Sequence, residues 1–481
     1  MRVLHYSLGF PPYRSGGLTK FCMDLMRQQL ADGHEVGLLW PGNMTLPGRK
    51  PRVRRRASVE GIASFEVLHP LPVPYDEGIL DLDAFMDPGS LDTYGAFLDA
   101  YAPDVIHIHT LMGLHEALLD AAKQRGVRLV FTAHDFFPIC PKVTLYRHGG
   151  PCKHAETCEE CAACNATALS LGKIRALQSP LYRAAKDSAP VRWLRKRHRD
   201  AYLGGAIEPS KDSVLIGDTP LRVHREQDIP LRKAQSAMYP KGSTPKGHGT
   251  PEATTYLRLR THYGAMLSRM DAIHYNSTVT RAVYQRFFDL PNATVLPISH
   301  ASIADHKQRR TYGEGPLRIR YLGPQSEAKG YYLLVEALDL LWEKRKDFRL
   351  DVHFTPAEQP PYLYAHPRYD YAELSGILEN TDVVVVPSVW QETFGFTALE
   401  ALSYGVPVVL SGTVGARDIL APGAGVVVEH PDERALADAI DGLTPERLAD
   451  MNKAILERQK IPTMKDVVRN IMEQTYEDGC I

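Results

Sequence analysis

Short apolar runs alternate with longer amphipathic stretches along most of the chain. The first run, Arg2–Leu8, is followed by an amphipathic stretch over Leu18–Asp32 and by a second run at Glu35–Trp40. Continuous apolar runs bounded by turn residues are typical of buried parallel strands, whereas an apolar stripe with helical spacing is typical of a helix packed on one face. The alternation therefore predicts a doubly wound α/β sheet at the start of the chain.

The same pattern continues and predicts a first domain over residues 1–310. We expect further strands at Asp104–Thr110, Leu129–His134, Ala272–Asn276 and Ala293–Pro297, with helices at Leu114–Gly126 and Val279–Phe288. The basic, proline-containing stretch Gly42–Gly61 interrupts this series, and we expect it to be a solvated loop.

A second α/β domain is predicted over residues 316–460. The glycine-rich stretch Thr311–Pro316 has the composition of a linker and separates it from the first domain. We expect a strand at Leu317–Leu322, a helix at Tyr331–Lys344 and a strand at Asp351–Phe354. A last helix, Met464–Tyr476, lies within residues 461–481. A chain of 481 residues has room for two such domains, each with its own core.

The stretch Val383–Leu410 places two carboxylates around the end of a predicted strand. Its four valines and a Pro-Ser pair predict a buried strand that runs into a loop containing Glu392. A helix is predicted from about Thr397; it carries Glu400 and stops at Gly405. Ligands of open α/β sheets bind at the carboxyl ends of strands, and the free N–H groups of a helix start attract anions. The spacing predicts a site for a ligand with hydroxyl groups and a phosphate.

The sequence of this stretch, PSVWQETFGFTALEALSYGVPVV, resembles the signature of the retaining, GT-B-fold nucleotide-sugar glycosyltransferases of family 4. The resemblance implies two Rossmann-like doubly wound domains that face a cleft, with a C-terminal helix that crosses back to the first domain. It also implies that Glu392 faces the transferred sugar and that Glu400 binds the ribose hydroxyls of the nucleotide. The amides of Phe394, Gly395 and Phe396 would then lie near the sugar and the phosphate.

Other positions of the resemblance lie at predicted strand ends. Gly16 and Gly17 precede the first helix, where backbone can approach a phosphate closely, although such a pair is also typical of a simple turn. The resemblance implies that both glycines contact the donor phosphates and that His134 lies close to the sugar and phosphate. Lys329 matches a cation that neutralises the diphosphate. Pro324 stands where the family has an arginine, so a neighbouring arginine would have to supply that charge.

Five of the seven cysteines lie in one short stretch of the first domain. Cys158, Cys161 and Cys164 form two overlapping C-x2-C pairs, and Cys152 is the nearest further thiol, so these four fit a tetrahedral structural zinc site with Cys140 left over. An iron–sulfur cluster fits this spacing less well, and reduced cysteines in an irregular loop are the other alternative. A zinc ion with four thiolate ligands has no open position, so we expect this metal to be structural rather than catalytic. The family resemblance implies that no catalytic metal is needed.

The net charge of −1 gives no reason to expect a nucleic-acid partner. Charge departs from this balance in the insertion 168–250, where Val191–Tyr202 surrounds Trp193 and Leu194 with arginine and lysine. This segment predicts docking on an anionic membrane surface. No run is long enough to span a bilayer, and Met1–Phe10 has the pattern of a strand rather than a secretory signal. We therefore expect a cytoplasmic protein that is peripheral at the inner face of the membrane.

Together these features predict a metal-independent retaining glycosyltransferase with His134 and Glu392 at its reacting centre. The donor would be a nucleotide sugar, and the acceptor a lipid-linked or cell-surface glycan precursor. Two alternatives stay open. One is a GT-B-like binding or scaffold protein with reduced or no turnover, which the change at Pro324 would permit. The other is a nucleotide-sugar epimerase or a phosphorylase on the same fold.

Overall fold

The computed structural model describes residues 1–11, 16–44, 50–74, 78–147, 149–182, 253–313 and 315–477. The basic segment Val191–Tyr202, and with it the basis of the membrane-surface prediction, lies outside the described residues. Within the described residues, none of the helices has both the length and the apolar character needed to cross a membrane.

The structure is built from short strands and helices in alternation. The strands are β1 Arg2–Tyr6, β2 Glu35–Pro41, β3 Arg52–Val59, β4 Ile62–Leu68, β5 Val105–Ile108, β6 Arg128–Ala133, β7 Tyr146–Arg147, β8 Gly150–Pro151, β9 Ala272–Tyr275, β10 Ala293–Val295, β11 Leu317–Tyr321, β12 Phe348–Val352, β13 Leu363–Ala365, β14 Val383–Val386, β15 Val408–Ser411 and β16 Gly425–Val428. The helices are α1 Gly17–Ala31, α2 Leu91–Tyr101, α3 Glu116–Gln124, α4 Cys161–Cys164, α5 Leu171–Leu177, α6 Ala253–Leu267, α7 Thr278–Gln285, α8 Tyr331–Lys344, α9 Leu374–Glu379, α10 Phe396–Ser403, α11 Glu433–Asp441, α12 Pro445–Arg458 and α13 Met464–Ile471.

The first sheet has the strand order β10-β9-β6-β5-β1-β2-β4-β3. All neighbouring pairs are parallel except β3 and β4. Strands β5 and β9 are buried along their whole length, and β1 is buried from Val3 onward, because helices cover both faces of the sheet. The strand order reverses between β1 and β5, which makes a crevice at the carboxyl ends of these strands.

The prediction of a loop at Gly42–Gly61 is wrong over part of its length. Residues Arg52–Val59 form β3, which pairs antiparallel with β4 at the edge of the sheet. Arg54 and Arg56 both lie close enough to pair with Glu66, at 2.8 and 3.6 Å, and Glu66 is buried. A run of charge has the pattern of a loop, but an edge strand tolerates exposed cations, which also block pairing with another chain.

The second sheet is fully parallel, with the order β13-β12-β11-β14-β15-β16. Its strand order reverses between β11 and β14, so the loops that follow these two strands form the crevice. Lys329 lies in the loop after β11, and Glu392 lies in the loop after β14. The predicted helix Tyr331–Lys344 is present with the same bounds.

The C-terminal helix crosses back to the first domain, as predicted. Helix α13 continues as a π-helix over Met472–Tyr476. Its apolar side packs with Phe21 and Leu25 of α1 in one buried cluster. The Tyr476 hydroxyl, from the last turn, lies 2.6 Å from Nδ1 of His107 on β5. The last turn of the described residues therefore reaches the centre of the first sheet.

We expect Gly330, which begins α8 beside Lys329, to be irreplaceable. Its φ is +75°, and a Cβ atom added there would lie 1.8 Å from the Pro387 carbonyl oxygen. Gly330→Ala should lower the free energy of unfolding by at least about 2 kcal/mol, because a left-handed backbone alone costs about 1–2 kcal/mol in a residue with a Cβ. Denaturant unfolding measures this loss. The control is Gly376→Ala at an exposed position of α9, where nothing lies within 4 Å of the added atom and the higher helix propensity of alanine should increase stability. Equal effects of the two substitutions would contradict the close approach at Gly330.

Candidate functional site

The loop between β14 and α10 is held rigidly by backbone hydrogen bonds to the loop after β15. The Glu392 N–H donates to the Thr413 carbonyl at 2.9 Å, and its carbonyl accepts from the Gly415 N–H at 3.0 Å. The Ala416 N–H donates to the Phe394 carbonyl at 2.6 Å. Because the backbone on both sides of Glu392 is paired, the position of its side chain is fixed by the sheet.

Glu392 forms an ion pair inside the crevice of the second sheet. Lys329 Nζ donates to Glu392 Oε1 at 2.7 Å, and the Ser388 hydroxyl donates to Oε2 at 2.6 Å. Burial alone would raise the pKa of Glu392, but the Lys329 charge and these hydrogen bonds outweigh it and lower the pKa. Lys329 also lies 4.8 Å from the centre of the Trp390 ring. The site thus holds an ionised carboxylate and a cation side by side at neutral pH.

Thr393 connects this loop to the first domain. Its carbonyl accepts from the hydroxyls of Ser277 and Thr280, at 2.8 and 3.1 Å. Its own hydroxyl donates to the His134 carbonyl at 3.1 Å. The structure therefore brings the segments of His134 and Glu392, both predicted at the reacting centre, to opposite sides of one residue in the cleft.

A second contact between the domains lies next to the first. Asp418 accepts from the backbone N–H of Thr278 at 2.5 Å and from its hydroxyl at 2.6 Å. Thr278 is the first residue of α7, so the carboxylate also lies at the positive end of that helix. Together with the Thr393 bonds, this contact fixes the second-domain loops against the first domain.

Two helix N-termini converge at the Phe396 ring. Gly16 precedes α1 with a φ of +103°, and Gly395 precedes α10 with a φ of +97°, so both positions favour glycine. A Cβ atom added at Gly17 would lie 3.6 Å from the Phe396 ring. Helix N-termini carry partial positive charge and free N–H groups, so the space between these two helix starts suits an anion.

Glu400 projects from α10 toward the segment between the domains. His300 Nε2 lies 3.2 Å from Glu400 Oε1, and the Glu400 side chain is 13% exposed. The His300 ring packs edge-on against both Phe396 and Tyr371. Glu400 therefore remains partly accessible beside aromatic rings, an arrangement that suits contact with hydroxyl groups. Its pairing with His300 could not be predicted from the local sequence.

The charge missing at Pro324 is not supplied at that position. The Pro324 carbonyl accepts from the Tyr321 hydroxyl at 2.8 Å. Arg417, near the loop after β15, forms a two-pronged pair with Glu429 at 2.6 Å for each contact. Lys20, on α1, lies 5.8 Å from the centre of the Tyr371 ring, on the Glu400 side of the cleft. Lys329 is thus the cation that the described structure places directly beside Glu392.

The cysteine-rich segment is organised by an arginine that no local sequence pattern singles out. Arg260 of α6 donates to Cys158 Sγ at 3.1 Å and to the Ile139 carbonyl at 3.2 Å. A hydrogen bond from Cys161, then the Arg260 charge and its hydrogen bond, lower the pKa of Cys158 to about 7. Burial raises the pKa of Cys140 to about 11, and the nearby Cys164 and Cys152 add to this shift.

These contacts place the thiols near one another without gathering them at metal-ligand distance. Among the described residues, three ligand atoms within 4.8 Å of one another occur in His5, His107 and His109, and not in Cys152, Cys158, Cys161 and Cys164. The zinc site therefore stays a prediction.

Comparison with known proteins gives two family-model matches. The model described as Glycosyltransferase Family 4 matches residues 15–157, and the model described as Glycosyl transferases group 1 matches residues 364–459. A D-inositol 3-phosphate glycosyltransferase of Arthrobacter sp. (strain FB24) is 31% identical over 29% of this chain and 38% of that protein. A phosphatidyl-myo-inositol mannosyltransferase of Mycobacterium leprae (strain TN) is 29% identical over 32% of this chain and 43% of that protein. The chain spans about two fifths of the length of the curated relatives it matches first.

Solved structures are similar over almost the whole chain. The sucrose-phosphate synthase of Thermosynechococcus elongatus has a TM-score of 0.52 at 14% identity and covers 98% of this chain and 97% of its own. Anabaena HepE in complex with UDP and glucose has a TM-score of 0.50 at 13% identity, with 98% of both chains covered. At this identity the likeness shows the fold alone. The predicted GT-B fold of two facing Rossmann-like domains is confirmed.

We predict that Lys329 stabilises the fold through Glu392. Lys329→Met should lower the free energy of unfolding at pH 7 by about 1–3 kcal/mol, because it leaves a largely buried carboxylate without its cationic partner. The lowered pKa of Glu392 stabilises the folded state at neutral pH, and this stabilisation is lost as the pH falls through that pKa. The difference between wild type and variant should therefore shrink below the ordinary carboxyl value of 4.5.

Denaturant unfolding across this pH range measures the effect. Lys344→Met is the matched control, since Lys344 is exposed and lies 4.0 Å from an exposed Asp438; we expect a change within about 0.5 kcal/mol. Adding Glu392→Gln to Lys329→Met should recover most of the loss, because the unpaired charge is then absent. A loss that is independent of pH and of Glu392 would refute this account of the ion pair.

Proposed function

We propose that the protein is a retaining glycosyltransferase that moves a sugar from a nucleotide-sugar donor to an acceptor hydroxyl. One observation carries the proposal: the Lys329–Glu392 pair lies at the crevice of the second sheet and is connected through Thr393 to the His134 segment of the first. The matches to two glycosyltransferase family models and the named activities of the relatives support it.

The electrostatics of the cleft suit a leaving diphosphate. Lys329 and the starts of α1 and α10 supply positive charge and N–H donors, with Gly16, Gly17, Phe394, Gly395 and Phe396 as the donor-binding residues. Fixed dipoles that need not reorganise are the most effective way to stabilise charge that develops as the glycosidic bond breaks. The similar Anabaena structure holds UDP and glucose, which supports a nucleoside diphosphate sugar as the donor class.

The two carboxylates serve different parts of the donor in this proposal. Glu392 and His134 position the transferred sugar, whereas Glu400, beside the aromatic rings of Tyr371 and Phe396, binds the ribose hydroxyls. The Glu392 carboxylate accepts hydrogen bonds from hydroxyls while its charge is balanced by Lys329. Retention then follows from the way the sugar is held against the leaving diphosphate rather than from a pair of carboxylates at the reacting carbon.

The acceptor enters from the first domain, and we propose a lipid-linked or cell-surface glycan precursor. The mannosyltransferase among the relatives is named for a phosphatidyl-myo-inositol acceptor, which supports a lipid-bearing class. Docking on an anionic membrane through Val191–Tyr202 belongs to the same proposal. We also propose that Cys152, Cys158, Cys161 and Cys164 hold a structural zinc ion, because two overlapping C-x2-C pairs and one further cysteine supply the four sulfur ligands that such a site requires.

The roles of the carboxylates can be separated by binding and rate. Glu400→Ala should weaken binding of the nucleoside diphosphate by about 1–3 kcal/mol, the cost of leaving hydroxyls unpaired. Glu392→Gln should leave nucleotide affinity close to wild type and lower the rate of sugar transfer. Calorimetry with nucleotides and a transfer assay over a panel of nucleotide sugars measure both, with exposed Glu457→Gln as the unaffected control.

The same assays distinguish the alternatives. Nucleotide binding without transfer to any acceptor would favour a binding or scaffold protein. Conversion of the donor sugar in the absence of acceptor would favour an epimerase. Equal and negligible effects of Glu392→Gln and Glu400→Ala would overturn the assignment of the site.

We expect the purified protein to carry about one zinc ion per chain by elemental analysis. Cys158→Ser or Cys161→Ser should remove the metal and lower the melting temperature more than it alters the chemistry, because the site is structural. Cys22→Ser is the control, since Cys22 is buried in a different cluster. A metal-free protein with an unchanged melting temperature would contradict the zinc proposal.

A further inference from the structure

Four histidines line one face of the first sheet, and His134 lies at its end. His5 on β1 pairs in register with His107 on β5, and His274 on β9 pairs with Thr132 on β6. His109 lies two residues beyond His107, so it shares the same face. All four histidines and Thr132 are fully buried. Their hydrogen bonds, with those of Gln29 and Tyr476, form one unbranched chain from a backbone carbonyl to His134.

Each of these histidines is held neutral by burial. Burial lowers the pKa of His5 and His274 to about 4 and that of His134 to about 3. It lowers the pKa of His107 and His109 well below the ordinary value. A neutral imidazole has one N–H donor and one acceptor nitrogen. The direction of a hydrogen bond at one nitrogen therefore decides the direction at the other.

The direction of the chain is set at the Leu296 carbonyl. His274 Nε2 lies 2.7 Å from this oxygen, which can only accept, so Nε2 carries the proton. His274 Nδ1 must then accept from the Thr132 hydroxyl at 3.0 Å. Since that hydroxyl donates its hydrogen to His274, its oxygen accepts from His107 Nε2–H at 2.6 Å.

The chain continues through the C-terminal segment. His107 Nδ1, now an acceptor, receives the Tyr476 hydroxyl hydrogen at 2.6 Å. The Tyr476 oxygen accepts from Gln29 Nε2 at 3.1 Å. This contact turns the other end of the amide, Gln29 Oε1, to His5 Nε2 at 2.7 Å, so His5 Nε2 carries the proton.

The last two links reach the cleft. His5 Nδ1 accepts from His109 Nε2–H at 3.0 Å, and His109 Nδ1 accepts from His134 Nε2–H at 3.2 Å. This leaves a lone pair on His134 Nδ1, which lies 3.5 Å from Asn276 Nδ2. The Asn276 Oδ1 atom is buried without a partner among the described residues.

We propose that this chain fixes His134 as its Nε2–H tautomer, with Thr132, Gln29 and Tyr476 as positioning residues that act through the intervening histidines. His134 Nδ1 is then an acceptor, and a sugar hydroxyl, unlike a phosphate oxygen, has the hydrogen needed to replace the long Asn276 contact at that nitrogen. This consequence rests on the proposed function; the tautomer itself does not. The opposite tautomer would require at least one link between Leu296 and His134 to break, because the carbonyl at the origin cannot reverse.

The clustering of His5, His107 and His109 also resembles a metal site, since their ligand atoms lie within 4.8 Å of one another. Both nitrogens of each ring, however, already form hydrogen bonds with protein atoms in the chain. A metal ion bound to these three histidines would have to displace these hydrogen bonds. A bound metal is therefore incompatible with the proposed chain and is the alternative that the test must exclude.

Nitrogen NMR of protein labelled with nitrogen-15 histidine reads the tautomer directly, and His134→Gln assigns the signal. Wild-type protein should show His134 with a protonated Nε2 and a bare Nδ1. Tyr476→Phe removes the hydroxyl that orients the Gln29 amide, so the amide can flip. Thr132→Val removes the acceptor for His107 Nε2–H, so His107 can change its tautomer. Both variants should therefore show a mixture of His134 tautomers. Thr132→Ser keeps the hydroxyl and should keep the wild-type form.

Tyr94→Phe is the matched control. Tyr94 is a buried tyrosine that is hydrogen-bonded to a histidine, His115 at 2.7 Å, outside this chain of contacts. It should leave the His134 tautomer unchanged. A protonated Nδ1 in wild-type His134, an unaltered tautomer in both Tyr476→Phe and Thr132→Val, or a stoichiometric metal ion lost on His5→Gln would each overturn the proposal.

Transfer kinetics separate this proposal from the proposed function. For Tyr476→Phe, kcat/KM should fall in proportion to the fraction of His134 in the other tautomer, about twofold for an equal mixture. Tyr94→Phe should retain wild-type kcat/KM. The expected tautomers without any sugar transfer would refute the glycosyltransferase function and leave the hydrogen-bond chain standing. Transfer that is indifferent to the measured tautomer would refute the role given to His134.

Discussion

Thr393 is the residue on which the geometry of the cleft depends. Its carbonyl accepts two hydroxyl hydrogen bonds from the first domain, and its hydroxyl donates to the His134 carbonyl. Buried backbone groups in a loop need such partners, so the contact satisfies the loop and at the same time sets its position. Because Thr393 follows Glu392 directly, the relation between the carboxylate of one domain and the histidine of the other is determined by these three bonds.

The electrostatic design of the site follows from this arrangement. A largely buried carboxylate in this loop would be costly if it were alone, and the Lys329 ammonium offsets that cost. The same cation lies in the loop that leads into α8, on the crevice where the strand order of the second sheet reverses. The second positive charge expected by family resemblance is absent at Pro324, so the starts of α1 and α10 contribute a larger share of the positive potential.

The central strands of the first sheet carry polar side chains in the interior. Parallel strands that are buried on both faces are usually apolar, yet His5, His107, His109 and His274 are fully buried here. They are tolerated because each forms hydrogen bonds, and the π-helix at Met472–Tyr476 supplies one partner through the Tyr476 hydroxyl. The C-terminal helix therefore packs on α1 and also completes the hydrogen bonding of the sheet that ends at His134.

Much of the fold could be read from local pattern. The bounds of β1, β2, β6, α1 and α8 agree with the sequence to within a few residues, because apolar periodicity reflects which side of an element is buried. Glu392 and Lys329 lie in the loops after β14 and β11, and Glu400 lies on the helix that follows β14, as the sequence predicted; their roles at the site stay predictions. The edge strand β3 was missed because its exposed cations obscure the apolar pattern of a strand. Backbone pairing with β4 and the ion pair with Glu66 show it to be a strand.

Sequence by itself thus determined the order of strands and helices, the two-domain GT-B architecture and the loops in which polar residues collect. Only the tertiary structure decided which of those residues meet. Thr393 and His134 are separated by 259 positions, and His107 and Tyr476 by 369, so no local spacing relates them. The physical reason is that periodicity records burial, which each segment expresses alone, whereas a hydrogen bond depends on the position and direction of two groups that only the packed sheets bring together.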